Sequence, residues 1–324
     1  MSGMPFLVYY SSEVKNMKPT AAKTVSSQLI YRNHGRKAAS FFILLILACA
    51  ATCASAETYY WKATSASEPA SGSLWTALSN WSTESESGAD ASSSPGSSDT
   101  IYALGNRVWR VFNLDGNEYT IDGWDSNGDW NRKYWRFSNG TLHWAGNHTT
   151  HSDTVYLESG MSFIFDEGSY YLASDGHGAA DEWFVGSDTS LSMFGELRVY
   201  NLHVEIASGG MMTFNPTALK FWDSPAQASY IKNNGTLVID NGYSFSIGSA
   251  NASFSLQQLG GILTLGGPLS KNGMAGTYEA IFSGGTVRVT GDVSFDLTSV
   301  TIPADAALTL EIDENASIDL STVI

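Results

Sequence analysis

Three histidines, His143, His148 and His151, fall within nine residues, and a fourth, His177, stands in Asp175-Gly176-His177-Gly178 just before Asp181 and Glu182. Imidazoles and carboxylates can hold a metal or move protons only where they converge. Spacings of five and then three on a strand and its loop do not by themselves aim several ligands at one point about 2 Å away. Loop histidines without a metal are therefore expected. Asp125, Asn127 and Asp129 alternate as the oxygen ligands of a calcium loop do, but Trp130 stands where such a loop requires Gly and Arg136 where it requires Glu. They are a weak calcium candidate, and no metal or other cofactor is expected.

Gly176-His177-Gly178 resembles one motif of the polygalacturonase-type β-helical hydrolases. That reaction needs paired carboxylates, one to protonate the leaving oxygen and one to activate water. The Asn-Thr-Asp and Asp-Asp motifs that supply them in that family are missing. Catalysis is not expected; the alternative is a carbohydrate-active β-helix hydrolase or lyase with His177, Asp175, Asp181 and Glu182 as its cluster. No phosphate-binding glycine loop with its lysine and no Gly-x-Ser-x-Gly elbow occurs.

Tryptophan is the other residue type with a chemical use. Eight of the ten precede residue 150: Trp61, Trp75, Trp81, Trp109, Trp124, Trp130, Trp135 and Trp144. Two readings stay open. These large amphipathic side chains can cover the open end of a stack of strands, or they can form a platform on which sugar rings stack.

The elements that must position these residues announce themselves as a repeat. Gly209-Gly210-Met211-Met212-Thr213-Phe214 returns as Asn234-Gly235-Thr236-Leu237-Val238-Ile239, Gly260-Gly261-Ile262-Leu263-Thr264-Leu265 and Gly284-Gly285-Thr286-Val287-Arg288-Val289, with the second glycines 25, 26 and 24 residues apart. Each unit is a glycine turn followed by alternating apolar residues, a strand with one buried face. Units this short must stack to share a core. The expected fold is all-β: a right-handed parallel β-helix, or β-solenoid, with an aromatic-rich N-terminal cap. A constant period without two-residue hairpin turns argues against a pair of antiparallel sandwiches. The expected parts are residues 57–134 as Trp-rich cap, with a mobile Ser-rich loop from Thr83 to Ser98, and 135–324 as repeats of about 20–26 residues. Nine or ten turns are expected over residues 100–324.

Ahead of these parts, residues 1–56 read as a secretory signal with a long basic leader. Lys15, Lys18, Lys23, Arg32, Arg36 and Lys37 precede an apolar run opening at Phe41 and a small-residue exit, Ala54-Ser55-Ala56. Cleavage is expected after Ala56, although Ile46-Leu47-Ala48-Cys49 loosely resembles a lipoprotein signal. Both cysteines, Cys49 and Cys53, lie in this leader, so the mature chain has no disulfide and no cysteine metal site. The whole chain carries a net charge of −15, and removal of the six leader cations and one acid leaves 31 acidic against 11 basic residues. That sign opposes binding to nucleic acid and to anionic membrane surfaces, and no membrane span is expected in the mature chain.

A Trp strand at Tyr59-Tyr60-Trp61, then Leu74-Trp75, Ser79-Asn80-Trp81-Ser82, Pro95-Gly96-Ser97-Ser98-Asp99-Thr100-Ile101-Tyr102 and a Leu114-Asp115-Gly116…Tyr119-Thr120-Ile121-Asp122-Gly123 phrase follow in order. Together they resemble the entry segment of bacterial surface proteins built from autotransporter-associated β-strand repeats, a family that often carries sorting tails of the Pro-Glu-Pro type; no such tail follows here. The resemblance implies a secreted or cell-surface β-helix used for display or adhesion, contacting polysaccharide, matrix components or other copies of itself, and it supplies no catalytic residues.

Overall fold

The computed structural model describes residues 56–65, 67, 72–102, 108–125, 133–146, 148–151, 153–166, 168–173, 180–221, 229–247 and 252–321. The expected export signal, apart from Ala56, lies outside the described residues. Residues 54–324 form one compact unit.

Within that unit the chain winds as a parallel β-solenoid with three walls. The long strands Trp109–Ile121, Tyr134–Trp144 and Thr154–Phe165 each run along the first wall, bend at a corner and continue along the second. In later windings the same path is split into two strands, such as Ser229–Asn233 followed by Thr236–Ile239. The third wall is an 11-stranded sheet that includes His148–His151, Ser169–Ala173, Glu196–Val199 and Ala218–Phe221, all in parallel register. Sandwiched antiparallel sheets are thereby excluded. The solenoid makes about 7 turns. That is fewer than the nine or ten expected from a uniform repeat, since single windings reach 28 residues, as from Thr154 to Glu182.

Alternation explains the core. In Glu182–Trp183–Phe184–Val185 and in every comparable strand, side chains point inward and outward by turns, and inward residues of successive windings lie above one another. One such inward column runs Trp135, Val155, Trp183, Val204, Ile231, Leu256, Ala280 and Val300. All are buried in one continuous apolar cluster that begins at Tyr59.

The repeated glycine phrase is the first corner. An added Cβ would stand 2.3 Å from the Gly210 oxygen at Gly235, 1.9 Å from the Gly235 oxygen at Gly261, and 2.5 Å from the Gly261 oxygen at Gly285. Those carbonyls are in use: Gly210 accepts from Thr236 N–H (2.9 Å), Gly235 from Ile262 (2.7 Å) and Gly261 from Thr286 (2.8 Å). Corner and ladder hydrogen bond thus occupy the space that any side chain would take. Beside it, the buried Asn233 donates to Gln258 (2.6 Å) and accepts from Gly235 N–H (3.0 Å), which satisfies polar groups inside the bend.

At the N-terminal end, Trp61, Trp75 and Trp81 pack edge to face over the inward residues of the first winding. Ring centroids lie 4.7 Å apart for Trp61–Trp81, 4.9 Å for Trp75–Trp81 and 4.3 Å for Trp61–Phe112. The parallel ladder already includes Trp109–Ile121, inside the segment read as cap. The Ser-rich loop is tied to this end rather than loose: Lys62 pairs with Asp90 (2.5 Å), Arg110 with Glu86 (2.8 Å), and the Tyr59 and Ser93 hydroxyls meet at 2.7 Å. Among the described residues no helix is long and apolar enough to cross a membrane.

Candidate functional site

Outward positions of the first wall also form columns. One runs Trp109, Tyr134, Thr154, Glu182, His203 and Tyr230; its neighbour runs Val111, Arg136, Tyr156, Phe184, Glu205 and Lys232. Parallel in-register stacking sets like positions about 4.8 Å apart, so rings there meet face to face. Trp109 stacks on Tyr134 (4.9 Å, 18°), Tyr156 on Phe184 (4.9 Å, 12°) and His203 on Tyr230 (4.1 Å, 15°), while the Trp109 and Tyr156 rings lie 5.6 Å apart across the columns. Cations cover ring faces: Arg136 lies 5.4 Å from Trp109 and Lys232 4.2 Å from Tyr230. The rings and cations in these contacts are half-exposed, whereas Thr154 and Val111 in the same columns are buried.

Carboxylates punctuate the stripe. Glu205 accepts from the Tyr230 hydroxyl (3.1 Å) and from Lys232 (3.0 Å). Its hydrogen bond holds the Lys232 ammonium above the ordinary lysine range. Burial, and then the Glu205 charge, raise the Tyr230 phenol. Arg136 meets Glu158 at 3.3 Å.

Alongside the rings runs a shallow groove. Where the first wall bends, Gly186 and Ala207 follow Glu158 up the corner, and these small residues leave a depression of about 310 Å³ edged by Tyr156, Glu158, Phe184, Glu205 and Asn234. A second depression of about 380 Å³, edged by Gly72, Asn113, Arg136, Asn139 and Glu158, shares Glu158 with it. The two follow one another along the solenoid axis.

Several sequence candidates are relocated by this geometry. Trp61, Trp75, Trp81, Trp135 and Trp144 are at most 1% exposed and cannot stack on a sugar, because strand parity, or for Trp75 the turn after Ser73–Leu74, directs them into the core. Among the candidate tryptophans whose side chains are described, Trp109 alone faces outward. Trp124 and Asp125 lie on the third-wall strand Gly123–Asp125; Trp130, Asn127, Asp129, Asp175 and His177 lie outside the described residues. Asp181 and Glu182 do not form a pair: Asp181 is wholly buried, whereas Glu182 points outward and accepts from the Thr154 hydroxyl (3.2 Å). His143 stands apart on the second wall between Glu118 and Asp166, each at 3.2 Å. No group of three or more metal-ligating side chains converges among the described residues.

No family model, no curated protein and no solved structure matches the chain. The site therefore rests on its own geometry. Tyr134, Tyr156, Phe184, His203 and Tyr230 escaped the sequence reading because tryptophan alone was weighed. The available signal was an aromatic or histidine at outward parity in successive windings.

Proposed function

We propose that this chain is a secreted or cell-surface β-helix of the display and adhesion kind, whose first wall contacts polysaccharide without transforming it. One observation carries the reading: half-exposed rings and a groove run together along several windings of the first wall. Aromatic rings offer an apolar face and edge to the C–H surfaces of sugars, while tyrosine hydroxyls and the flanking carboxylates and cations hydrogen-bond to hydroxyl groups. A groove parallel to the axis suits an extended polymer better than a compact ligand. The acidic balance of the chain favours neutral over polyanionic glycans. The entry motifs that resemble surface proteins with autotransporter-associated repeats, and the leader, agree with an exported protein.

The test is binding of the protein to an array of polysaccharides, with turnover of each glycan followed in the same wells. Binding without turnover is expected. The variant carrying Trp109→Ala, Tyr156→Ala and Phe184→Ala is expected to bind about tenfold more weakly or worse, a change of roughly 1.4 kcal/mol or more. Turnover would establish an enzyme instead, and unchanged binding in the triple variant would move the contact off this wall.

A further inference from the structure

The outward side of the second wall differs from the other two. Successive strands there stand in parallel register, so Met211, Thr236 and Ile262 form one outward column and Thr213, Val238 and Thr264 the next. The columns extend back to Ser162 and Ile164 and forward to Thr286, and from Ser162 to Thr286 no outward position of this wall is charged. By contrast, the first wall shows Glu182, Glu205 and Lys232, and the third Glu196, Arg198 and Lys220. Met211 and Ile262 are each 44% exposed. Large apolar side chains on a charge-free face mark a contact surface.

Within these windings the two outward residues differ in size, and their order reverses from one winding to the next: Met211 precedes Thr213, Thr236 precedes Val238, and Ile262 precedes Thr264. A two-fold axis parallel to the solenoid axis, over the middle of the wall, exchanges the two columns at every level. It sets Met211 against Thr213 of a second copy, Val238 against Thr236 and Ile262 against Thr264. Large then meets small throughout, which lets facing layers interdigitate. The charges beyond the central windings are accommodated too: His143, Arg288 and Glu311 meet Thr141, Thr286 and Thr309 of the second copy. The other in-plane two-fold, along Thr236–Ile239, would instead bring Asp240, exposed at the end of that strand, beside its own copy.

We propose that the protein forms a two-fold dimer through its second wall, with the two solenoids side by side and parallel. With 31 acidic against 11 basic residues after the leader, two copies repel one another over their other faces. Strands of four residues span about 13 Å and the eight windings from Thr141 to Thr309 about 38 Å. Each copy thus contributes roughly 500 Å², the lower end of specific interfaces and the range of reversible association.

Sedimentation of the purified protein tests this. A monomer at about 1 μM is expected to pass into a dimer towards about 1 mM. Met211→Glu and Ile262→Glu, each checked against the parent's circular dichroism, should weaken the dimer about tenfold or more. Val238→Glu should weaken it likewise. Adding Thr236→Lys to Val238→Glu should restore it, because the proposed axis places the new charges opposite each other, whereas the alternative axis would set like against like. A monomer over the whole concentration range would overturn the proposal, as would a dimer that tolerates Met211→Glu and Ile262→Glu together. Failure of Thr236→Lys to rescue Val238→Glu would overturn the arrangement of the two copies.

Discussion

Asp181 and Glu182 are neighbours in the chain and opposites in environment, because adjacent strand residues face opposite sides of a sheet. The buried one has its folded pKa raised from 3.8 to about 7. Between those values the folded chain binds more protons at this site than the unfolded chain, so its contribution to stability falls as pH rises through that window. Melting curves of the parent and of Asp181→Asn should show it: the stability gap between them shifts against the parent as pH rises towards 7 and levels off above. The tryptophans divide by the same rule. Trp81, fully buried and donating its indole N–H to the Trp75 carbonyl at 2.7 Å, should cost about 3–5 kcal/mol when changed to Ala. Trp109→Ala, which removes an outward stack, should cost about 1 kcal/mol. Chemical denaturation separates the two. Residue type was legible in the sequence here, but strand parity relative to the core was not, since a one-residue shift exchanges every inward and outward side chain.

At the level of elements, the corners carry the specificity. Gly261 combines a φ of +63° with a carbonyl 1.9 Å from where a Cβ would sit, whereas Gly160 has a φ of +74° and nothing within 4 Å. Both substitutions to Ala strain the backbone, but only one also displaces the adjacent winding. Gly261→Ala is expected to destabilise by about 3 kcal/mol and Gly160→Ala by about 1 kcal/mol, measured by urea unfolding. The later corners were legible as a recurring glycine phrase. The earlier ones, Asp115-Gly116, Asn139-Gly140 and Ser159-Gly160, take positive φ at both residues, whereas the later phrases take it at one glycine, Gly209, Gly261 or Gly285, or at neither, as in Asn234-Gly235. Their first residues differ in type and their turns in geometry, so no single glycine phrase marks them in the sequence.

Across the whole molecule, the two ends of the stack differ. The first winding is covered by Trp61, Trp75 and Trp81, whereas Leu310 and Ile312, at the positions above Val287 and Val289, remain 42% and 50% exposed. A solenoid holds each winding mainly through buried contacts with its neighbours, and a strand whose apolar side chains stay exposed has fewer of them. Hydrogen exchange should be fastest in Ala307–Ile312 and slowest in central strands such as Leu202–Ile206; protection at Ala307–Ile312 equal to the centre would contradict this. The sequence by itself determined the repeat, the β class and the aromatic start, because alternation and glycine spacing are local patterns that any stack of short strands must carry. Tertiary structure alone decided which rings face water, which acid is buried, and that Lys133, Asp153 and Asp181 stack at one corner. The windings that carry them vary in length, with 20 residues from Tyr134 to Thr154 and 28 from Thr154 to Glu182, so only the folded register brings distant residues into one column.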